Sequence, residues 1–483
     1  MERRDYDRRV PRTFALVVAL CCLIVAPAGA LAHAVLVDAS PAPDARLDAA
    51  PDTVRVEFNE PVQLLDPAED ADVVDERGLL AQQGAAAVDP RDARVIEIPL
   101  RAGLAPGTYT ARWRVIGADS HVVGGAYVFG VGVDELSDPF LAGAAGAAGP
   151  SETSAWMVSA RLLEVVGLTA LLGLVGARLL VWGATWRRTP APPGEERDAM
   201  LVWGRDVFWS AFGVMALVAM IAEGYVLVVQ SAATLGRSVW ATLADTAGIG
   251  EVLADTRFGE LLQLRAGLLF VLFALAAWQF LGEHGAGQIP TAGTAAGRVV
   301  PMVAMGVLAA AALGVVAEQG HASQADRPWL QVPAEAVHIG AAGIWLVGLA
   351  GLAMAARRLP RIAPGNGSTL AARLIGRFSA VALVLVAVVV ATGVVRTLGE
   401  LDAVEQLWET AYGRSILIKM AVLAGIVGLA LASRRIVAAL ERLRRPGPRA
   451  VGLIPPRAAL ELGLAIVVLV VASLLGGQVP GRL

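Results

Sequence analysis

Hydrophobic and polar positions follow three different patterns along the chain. An apolar run over residues 14–25 follows a cluster of arginines at the start of the sequence. Between residues 33 and 133, apolar residues alternate with polar ones in short runs, which is typical of half-buried β-strands. From residue 156 to about residue 478, the apolar stretches are long enough to cross a bilayer as helices. The sequence therefore predicts a leader, a β domain and a helical membrane domain.

The alternating part predicts an all-β domain. Val54, Val56 and Phe58 alternate with charged residues, and the same pattern covers residues 96–100 and 109–115. Proline and glycine separate these runs, and residues 126–131 are predicted to form a closing strand. We expect an immunoglobulin-like antiparallel sandwich over residues 33–133. Residues 134–155, which are rich in alanine and glycine, are expected to form a flexible linker.

Residues 1–32 are predicted to be a signal peptide. The basic segment, the apolar run too short to span a membrane comfortably, and the small residues before His33 match that class of targeting segment. Both cysteines of the chain, Cys21 and Cys22, lie in the apolar run. The mature protein is therefore predicted to be cysteine-free, which excludes disulfides, thiolate metal sites and thiol catalysis.

Cleavage after Ala32 would make His33 the first residue of the mature chain, with a free amine beside its imidazole. Asp119 and His121 are two residues apart, so on an extended segment both side chains point to one side and can reach the same ion as His33. Two imidazoles, an amine and a carboxylate form a nitrogen-rich set that suits Cu(II). The alternative is that His121 is a surface loop residue and Asp119 a turn former.

The β domain resembles the periplasmic copper-binding CopC family. The matching segments, in order, are residues 33–36 (HAVL), 40–43 (SPAP), 57–62 (EFNEPV), 107–115 and 119–121. The resemblance implies a copper-binding sandwich. Ser120 departs from the glycine that the family usually has between its last two ligands. Some members also carry a methionine-rich Cu(I) site, whereas residues 33–133 contain no methionine, so a domain specific for Cu(II) is expected.

An N-terminal histidine with a second histidine also resembles the copper brace of polysaccharide monooxygenases. Such an enzyme is secreted and needs an exposed substrate surface, whereas this domain is attached to a membrane part. The carboxylate of Asp119 would also fill a coordination position that oxygen chemistry needs open. The chain is therefore predicted not to be an enzyme.

Eight apolar stretches predict about eight transmembrane helices over residues 156–478. They lie near residues 157–183, 207–229, 259–281, 299–317, 333–354, 378–398, 415–432 and 458–476. Arginine-rich segments follow the first, fifth and seventh stretches, and the positive-inside rule assigns these segments to the cytoplasm. We expect a multi-pass plasma-membrane protein with the β domain and the C-terminus outside, and with its basic loops against anionic lipid.

The helical part resembles CopD, the membrane partner of CopC, and the two are known as fusions in one chain. The matching positions are residues 320–322, His338 with residues 345–348, residues 377–379, residues 412–414, and Arg457 with Glu461. Glu335 departs from the aspartate that the family more often has ahead of the histidine. The resemblance implies a role in copper transport or resistance.

A faint internal repeat relates two helix starts in the membrane part. Residues 255–259, followed by Arg265, are similar to residues 409–413, followed by Lys419 at the same offset. A repeat of this type suggests two related helix bundles or only shared packing.

His321 and His338 are the predicted residues of a transmembrane copper path, because both fall where an ion from the β domain would arrive. Each could instead cap or hydrogen-bond a helix end. Glu223 is a weaker path candidate. Arg161 and Glu164, three residues apart on one helix face, are predicted to form a structural ion pair.

Three further residues have competing interpretations. Met302 and Met305 share a helix face and are either thioether ligands for Cu(I) or gap fillers in a bundle. His284 lies in a predicted cytoplasmic loop and is expected to be structural.

The predicted function is copper homeostasis, with Cu(II) bound outside and copper carried inward through the membrane. Lys419 is the only lysine, so no P-loop or other lysine-containing ATPase signature can be assembled. Copper chaperones are candidate partners, and nothing indicates nucleic acid. The alternatives are a membrane electron-transfer protein, in which His321 and His338 ligate haem and reduce copper, and a copper sensor without transport.

Overall fold

The computed structural model describes residues 34, 36–117, 122–141, 153–188, 194–284, 295–325, 327–401, 403–442 and 447–475, and the predicted signal peptide lies outside them. The strands are β1 Leu36–Ser40, β2 Arg46–Leu47, β3 Thr53–Phe58, β4 Val62–Gln63, β5 Ala71–Asp75, β6 Ala87–Asp89, β7 Asp92–Pro99, β8 Gly107–Gly117 and β9 Val122–Val131. One sheet has the order β1-β3-β7-β6. The other has the order β2-β9-β8-β4, and β5 also pairs with β8.

The alternating residues line the space between these two sheets. Val54, Val56 and Phe58 of β3 are fully buried, and the Phe58 ring packs edge-on against Trp113 of β8, with ring centroids 6.0 Å apart. A Cβ at Gly125 would lie 2.4 Å from the Trp113 indole, so β9 requires a glycine there. The predicted sandwich is confirmed. It is not wholly antiparallel, because the two-residue strand β2 runs parallel to β9.

Strand β8 is buried on both faces, although its alternation predicted one polar face. The cause is residues 134–141, which were assigned to the linker and instead lie along β8. The backbone N–H groups of Ser137 and Phe140 donate to the hydroxyls of Thr108 and Thr110, at 3.0 and 2.9 Å. A segment without a hydrophobic pattern of its own thus covers the second face of the strand.

Two ion pairs stabilise this covered face. Arg112 pairs with Asp72, and Arg114 Nη2 lies 2.5 Å from Asp70 Oδ1. The side chains of Arg114 and Asp70 are more than nine-tenths buried. Charged residues can occupy this face because each arginine lies beside a carboxylate of the neighbouring strand segment.

The Glu76 carboxylate holds residues 134–141 against the sandwich. The pKa of Glu76 is below the usual value of 4.5. The N–H of Thr108 and the hydroxyl of Ser137 donate to it at 3.1 Å each, which favours the charged form. With a depressed folded pKa, this stabilisation exists above the unfolded pKa and is lost as pH falls through the folded value. We expect the deuterium-exchange protection of the Ser137 amide to fall in acid, as the pH drops below the usual pKa of a glutamate side chain. A Glu76→Gln variant that kept this pH dependence would contradict the assignment.

The remaining elements are helices. They are α1 Thr153–Ala177, α2 Gly183–Arg188, α3 Glu195–Leu235, α4 Val239–Leu243, α5 Thr246–Asp255, α6 Arg257–His284, α7 Ala295–Glu318, α8 Pro328–Ile362, α9 Gly367–Glu400, α10 Gln406–Glu409, α11 Ala411–Arg442, α12 Pro448–Val451 and α13 Ile454–Leu475. A π-helical turn over Arg178–Trp182 joins α1 to α2, and a 3-10 turn over His321–Gln324 follows α7.

Seven helices among the described residues are long and apolar enough to cross a membrane. They are Ala155–Arg188, Glu195–Leu235, Arg257–His284, Val299–Glu318, Pro328–Ile362, Gly367–Glu400 and Gly413–Ser433. These correspond to the first seven predicted stretches. The eighth stretch forms α13, a helix of 22 residues that is not among the seven.

Helices α1 and α8 cross at very short range. A Cβ on Gly343 would lie 2.6 Å from the Thr169 carbonyl oxygen, and one on Gly173 would lie 2.5 Å from the Gly343 carbonyl oxygen. Small residues therefore allow the two backbones to touch, as in many membrane bundles. This contact joins the helices that precede α8 to those that follow it.

The internal repeat has the same local structure in both copies. In each, a threonine hydroxyl donates to the carbonyl four residues earlier and accepts a glycine N–H three residues later, at Thr256 and at Thr410. A short helix, α5 or α10, precedes the motif, and a long helix, α6 or α11, follows it. The long helices then carry Arg265 and Lys419 at equivalent positions, so the repeat is a structural one.

Candidate functional site

The predicted copper ligands His33, Asp119 and His121 lie outside the described residues. Among the described residues, no group of three or more histidine, cysteine, aspartate or glutamate side chains could hold a metal ion. The described residues nearest to them in sequence, which follow His33 and flank residues 118–121, belong to one part of the sandwich.

Both segments that carry these ligands adjoin one end of the sandwich. Leu36, at the start of β1, pairs with Phe58, and Gly117, at the end of β8, pairs with Val62. Phe58 and Val62 are only four residues apart, and β9 begins beside Gly117 at Val122. We call this region, formed by Leu36, Phe58, Val62, Gly117 and Val122, the hairpin end.

The hairpin end is the part of the sandwich that contacts the helices. The backbone N–H of Arg257, at the start of α6, donates to Gln63 Oε1 at 3.4 Å. Leu65 packs against an apolar cluster that includes Ala160, Val226, Val252, Phe258 and Leu262. Asp70 Oδ2 accepts the N–H of Leu65 at 2.9 Å and so holds this segment in place. We call the end of the helical part that the sandwich contacts the outer end.

A buried ion cluster lies about two turns after Arg257 along α6. Arg265 is fully buried, and its Nε and Nη2 donate to the two carboxylate oxygens of Glu223 at 2.8 and 2.9 Å. Nη1 donates to Gln319 Oε1 at 2.7 Å, and Nη2 lies 2.5 Å from Glu164 Oε1. The cluster therefore connects α1, α3 and α6 with the end of α7. Glu223, the weaker path candidate, is here a partner of an arginine.

The predicted ion pair between Arg161 and Glu164 is wrong. Among the described residues, Glu164 forms its ion pair with Arg265, and Arg161 lines a cavity of about 20 Å³ next to Glu164 and Gln319. Spacing along one helix predicts only neighbours on that helix. Here a fully buried arginine of α6 requires carboxylates for charge compensation, and it takes the one from α1.

His338 is a residue of α8, and its ring packs against α9 near the outer ends of both helices. Its Nδ1 is 3.0 Å from Thr392 Oγ1, and that hydroxyl donates to the Val388 carbonyl at 2.7 Å. Because the hydroxyl proton is used, the network assigns the ring proton to Nδ1 and leaves a lone pair on Nε2. A Cβ on Gly393 would lie 3.4 Å from His338 Cε1, so the ring packs against α9. A neutral imidazole with a free nitrogen is the form that binds metals.

Charged side chains surround this histidine. Arg396 of α9 lies 3.3 Å from Glu335 of α8 and 3.1 Å from Glu400 of its own helix. Lys419 of α11 interacts electrostatically with Arg396, Glu400 and Glu335. The second copy of the repeat thus directs its basic residue toward the histidine site, as the first copy directs Arg265 into its cluster.

The backbone at His321 adjoins Glu335 of this charged group, although the side chain of His321 lies outside the described residues. His321 begins the 3-10 turn after α7. A Cβ on the preceding Gly320 would lie 3.9 Å from Glu335 Oε2, and Glu335 is three residues before His338 on α8. The two predicted path histidines therefore belong to neighbouring segments at the outer end.

The remaining candidates occupy structural positions. Met302 and Met305 are buried in an apolar cluster with Leu168 and Leu272, which supports their interpretation as packing residues. His284 ends α6, and its Nδ1 lies 2.9 Å from the Phe280 carbonyl oxygen, one turn earlier. It lies in a helix rather than in the predicted loop.

Two basic residues of these clusters were not assigned to them from the sequence. Arg265 was noted only as part of the repeat, and Arg396 was not singled out. The available signal was a charged residue within an apolar stretch, because such a residue needs buried partners. Its partners could not be identified, because they lie on other helices.

Comparison with known proteins finds a family match within each part of the chain. The CopC domain family matches residues 36–132, and the Copper resistance protein D (CopD) family matches residues 372–475. The chain is 24% identical over 404 residues to Copper transport protein CutJ of Bacillus subtilis, covering 83% of this chain and 68% of that protein. It is also 32% identical over 100 residues to Protein YobA of Escherichia coli K12, covering 21% and 79%.

Two solved structures of similar proteins each match about a fifth of the chain. CopC from Methylosinus trichosporium OB3b is 29% identical with a TM-score of 0.19, covering 22% of this chain and 100% of that one. PcoC, a methionine-rich copper resistance protein from Escherichia coli, is 26% identical with a TM-score of 0.18, covering 21% and 99%. With both family domains in one polypeptide and a relative that matches across most of its length, the chain is a CopC–CopD fusion protein of the copper transport and resistance family.

Proposed function

We propose that this protein binds Cu(II) outside the cell membrane and carries copper inward through its helical bundle. His33, Asp119 and His121 would hold the ion beside the hairpin end. The observation that supports delivery is that the hairpin end docks on the outer end of the helices, through Gln63 and Leu65. An ion released there would be close to the outer end of the bundle.

The receiving site in this proposal is formed by His321, Glu335 and His338, which we call the outer histidine group. In this proposal Nε2 of His338 receives the ion, and the turn that begins at His321 adjoins His338 through Glu335. The carboxylates of Glu335 and Glu400 balance the charges of Arg396 and Lys419, so the group presents no net positive charge to an arriving cation. The thioether ligands considered from the sequence are not needed, since Met302 and Met305 pack in an apolar cluster.

The orientation in the membrane follows from the loops and from α13. We propose α13 as an eighth span, because 22 residues extend about 33 Å, which matches the hydrocarbon core. Eight spans place the sandwich and the C-terminus on the same, extracytoplasmic side. The arginine-rich segments then lie in the cytoplasm, as the positive-inside rule requires.

We propose transport rather than catalysis. The sequence supplies no ATPase signature, so the driving force would come from the membrane potential, the copper gradient or copper capture inside the cell. A cation that moves inward gains about 2.3 kcal/mol per charge for each 100 mV of inside-negative potential. That term alone favours import of a positive ion.

Cellular copper content under limiting copper tests the proposal. A His321→Ala/His338→Ala double variant, expressed at the level of the wild type, is expected to accumulate as little copper as cells without the protein, because the receiving site has lost both imidazoles. The matched control is His284→Ala, whose ring lies near the Phe280 carbonyl and Asp206 and away from the outer histidine group, and it should accumulate copper normally.

Unchanged accumulation in the double variant would contradict transport through this site. A haem absorbance band in the purified wild type, lost in the double variant, would then indicate the electron-transfer alternative. Without such a band, a copper sensor would be the better assignment.

A further inference from the structure

A cavity of about 100 Å³ lies in the half of the bundle opposite the outer end. Helices α8, α9, α11 and α13 line it, with Trp345, Phe378, Ala382, Val427, Ile454 and Glu461 among the lining residues. It opens on one side to the surface of the bundle, where the lining residues Leu383 and Leu431 are exposed. This volume has room for several water molecules or a partly hydrated ion. The lining is mainly apolar, so any ionisable group in it is placed in a medium of low polarity.

Glu461 is the acidic group in this lining. It is only 5% exposed, and none of the described residues forms a hydrogen bond or ion pair with its carboxyl group. Arg457, one turn earlier on α13, also lines the cavity, but its Nη1 donates to the Leu453 carbonyl at 3.1 Å. A buried carboxylate without a partner is costly. The carboxyl group therefore keeps its proton unless a cation takes the place of that proton.

The cavity lies further along the same helices that carry the outer histidine group. On α8, His338 and the lining residue Trp345 are seven residues apart, which places them on one helix face about 10 Å apart along the axis. On α11, Lys419 and the lining residue Val427 are eight residues apart and also share a face. The same two helix faces thus carry the outer group and the inner cavity.

We propose that Glu461 is the inner ion site of the bundle, where a copper ion and a proton compete for one carboxyl group. A copper ion that arrives binds the carboxylate as the acid releases its proton to water on the cytoplasmic side, and the oxidation state of copper does not change. A proton from the cytoplasmic side then restores the acid and releases the ion. This inference rests on the proposed function and adds to it a dependence of copper release on internal pH.

The charges around Glu461 favour a single titrating group. Helices α8, α9 and α11 contribute no charged side chain to the lining, and α13 contributes Arg457 besides Glu461. Helix α1 also packs on α13, and its acidic residue Glu164 belongs to the Arg265 cluster at the outer end. Internal pH should therefore act on release through Glu461.

Two measurements on the full-length protein test this inference. In detergent, Cu(II) or Cu(I) is added and the infrared carbonyl band of a protonated carboxylic acid is followed. The wild type is expected to lose such a band on copper addition, and Glu461→Gln is expected to lack it. In liposomes, Glu461→Gln is expected to take up copper roughly tenfold more slowly and without dependence on internal pH. Arg457→Gln is the matched control and should retain both the band and the pH dependence.

The outcomes separate this inference from the proposed function. If copper leaves the infrared band unchanged, as expected when a lipid chain fills the cavity, Glu461 does not exchange a proton for copper. The same conclusion follows if the Glu461→Gln variant transports with the rate and pH dependence of the wild type. If wild-type liposomes take up no copper, the proposed function fails, while the infrared measurement still decides whether Glu461 exchanges a proton for copper.

Discussion

Replacing Arg265 by methionine is expected to lower the free energy of unfolding by about 3 to 5 kcal/mol. Arg265 is fully buried and compensates the charges of both Glu164 and Glu223. Without the guanidinium, two carboxylates would remain inside the bundle without a cation, which is far more costly than losing one exposed contact. The measurement is the midpoint of detergent-induced or thermal unfolding of the purified full-length protein.

Two companion variants make this result specific. Arg237→Met removes an arginine that is about half exposed and pairs with Asp245, so it should change the stability by about 0 to 1 kcal/mol. Adding Glu164→Gln and Glu223→Gln to Arg265→Met removes the uncompensated charges and should recover most of the loss. If the single Arg265 variant is as stable as the wild type, the cluster does not hold the first helices together.

Replacing Leu65 by aspartate is expected to reduce copper uptake at limiting copper by about tenfold, although Cu(II) affinity is unchanged. Leu65 packs into the apolar cluster at the outer end of the helices, and a carboxylate there would separate the sandwich from the bundle. The tether would remain, but the hairpin end would no longer be oriented toward the receiving site. The measurements are copper uptake by cells and Cu(II) titration of the purified protein.

A control and a cross-link accompany this variant. Leu79→Asp places the same charge at a residue that is 63% exposed, near the start of β8 and away from the hairpin end, and should leave uptake unchanged. Gln63→Cys with Arg257→Cys should form a cross-link that Leu65→Asp prevents, in a mature chain predicted to contain no other cysteine. Normal uptake with a lost cross-link would show that docking does not matter for delivery.

Local patterns predicted the elements well, for physical reasons. Alternation over residues 53–58 identified β3, because a strand with one face in a core must alternate. Apolar length identified seven of the membrane helices, because a bilayer requires about 20 such residues. The pattern failed at β8, whose second face is covered by residues 134–141. The isolated apolar residues of that segment, Leu136, Phe140 and Leu141, follow no periodic pattern that would indicate what they pack against.

Site residues were predicted only as far as single positions allow. His338 was identified because an ionisable residue near a membrane helix needs a reason to be there. Its tautomer depends on Thr392 of another helix, 54 residues away in sequence. Glu461 was noted as part of a resemblance, but its place in an apolar cavity depends on four helices coming together. The roles of His33, Asp119 and His121 remain predictions.

The sequence by itself determined that this protein has a β domain before a helical membrane part and which families the two parts resemble. These conclusions need only local periodicity, length and short motifs. The tertiary structure alone decided that Glu164 pairs with Arg265 instead of Arg161, and that the hairpin end is the end that docks on the helices. Both depend on contacts between segments about 100 to 200 residues apart, and such contacts are set by packing in three dimensions and leave no periodic trace along the chain.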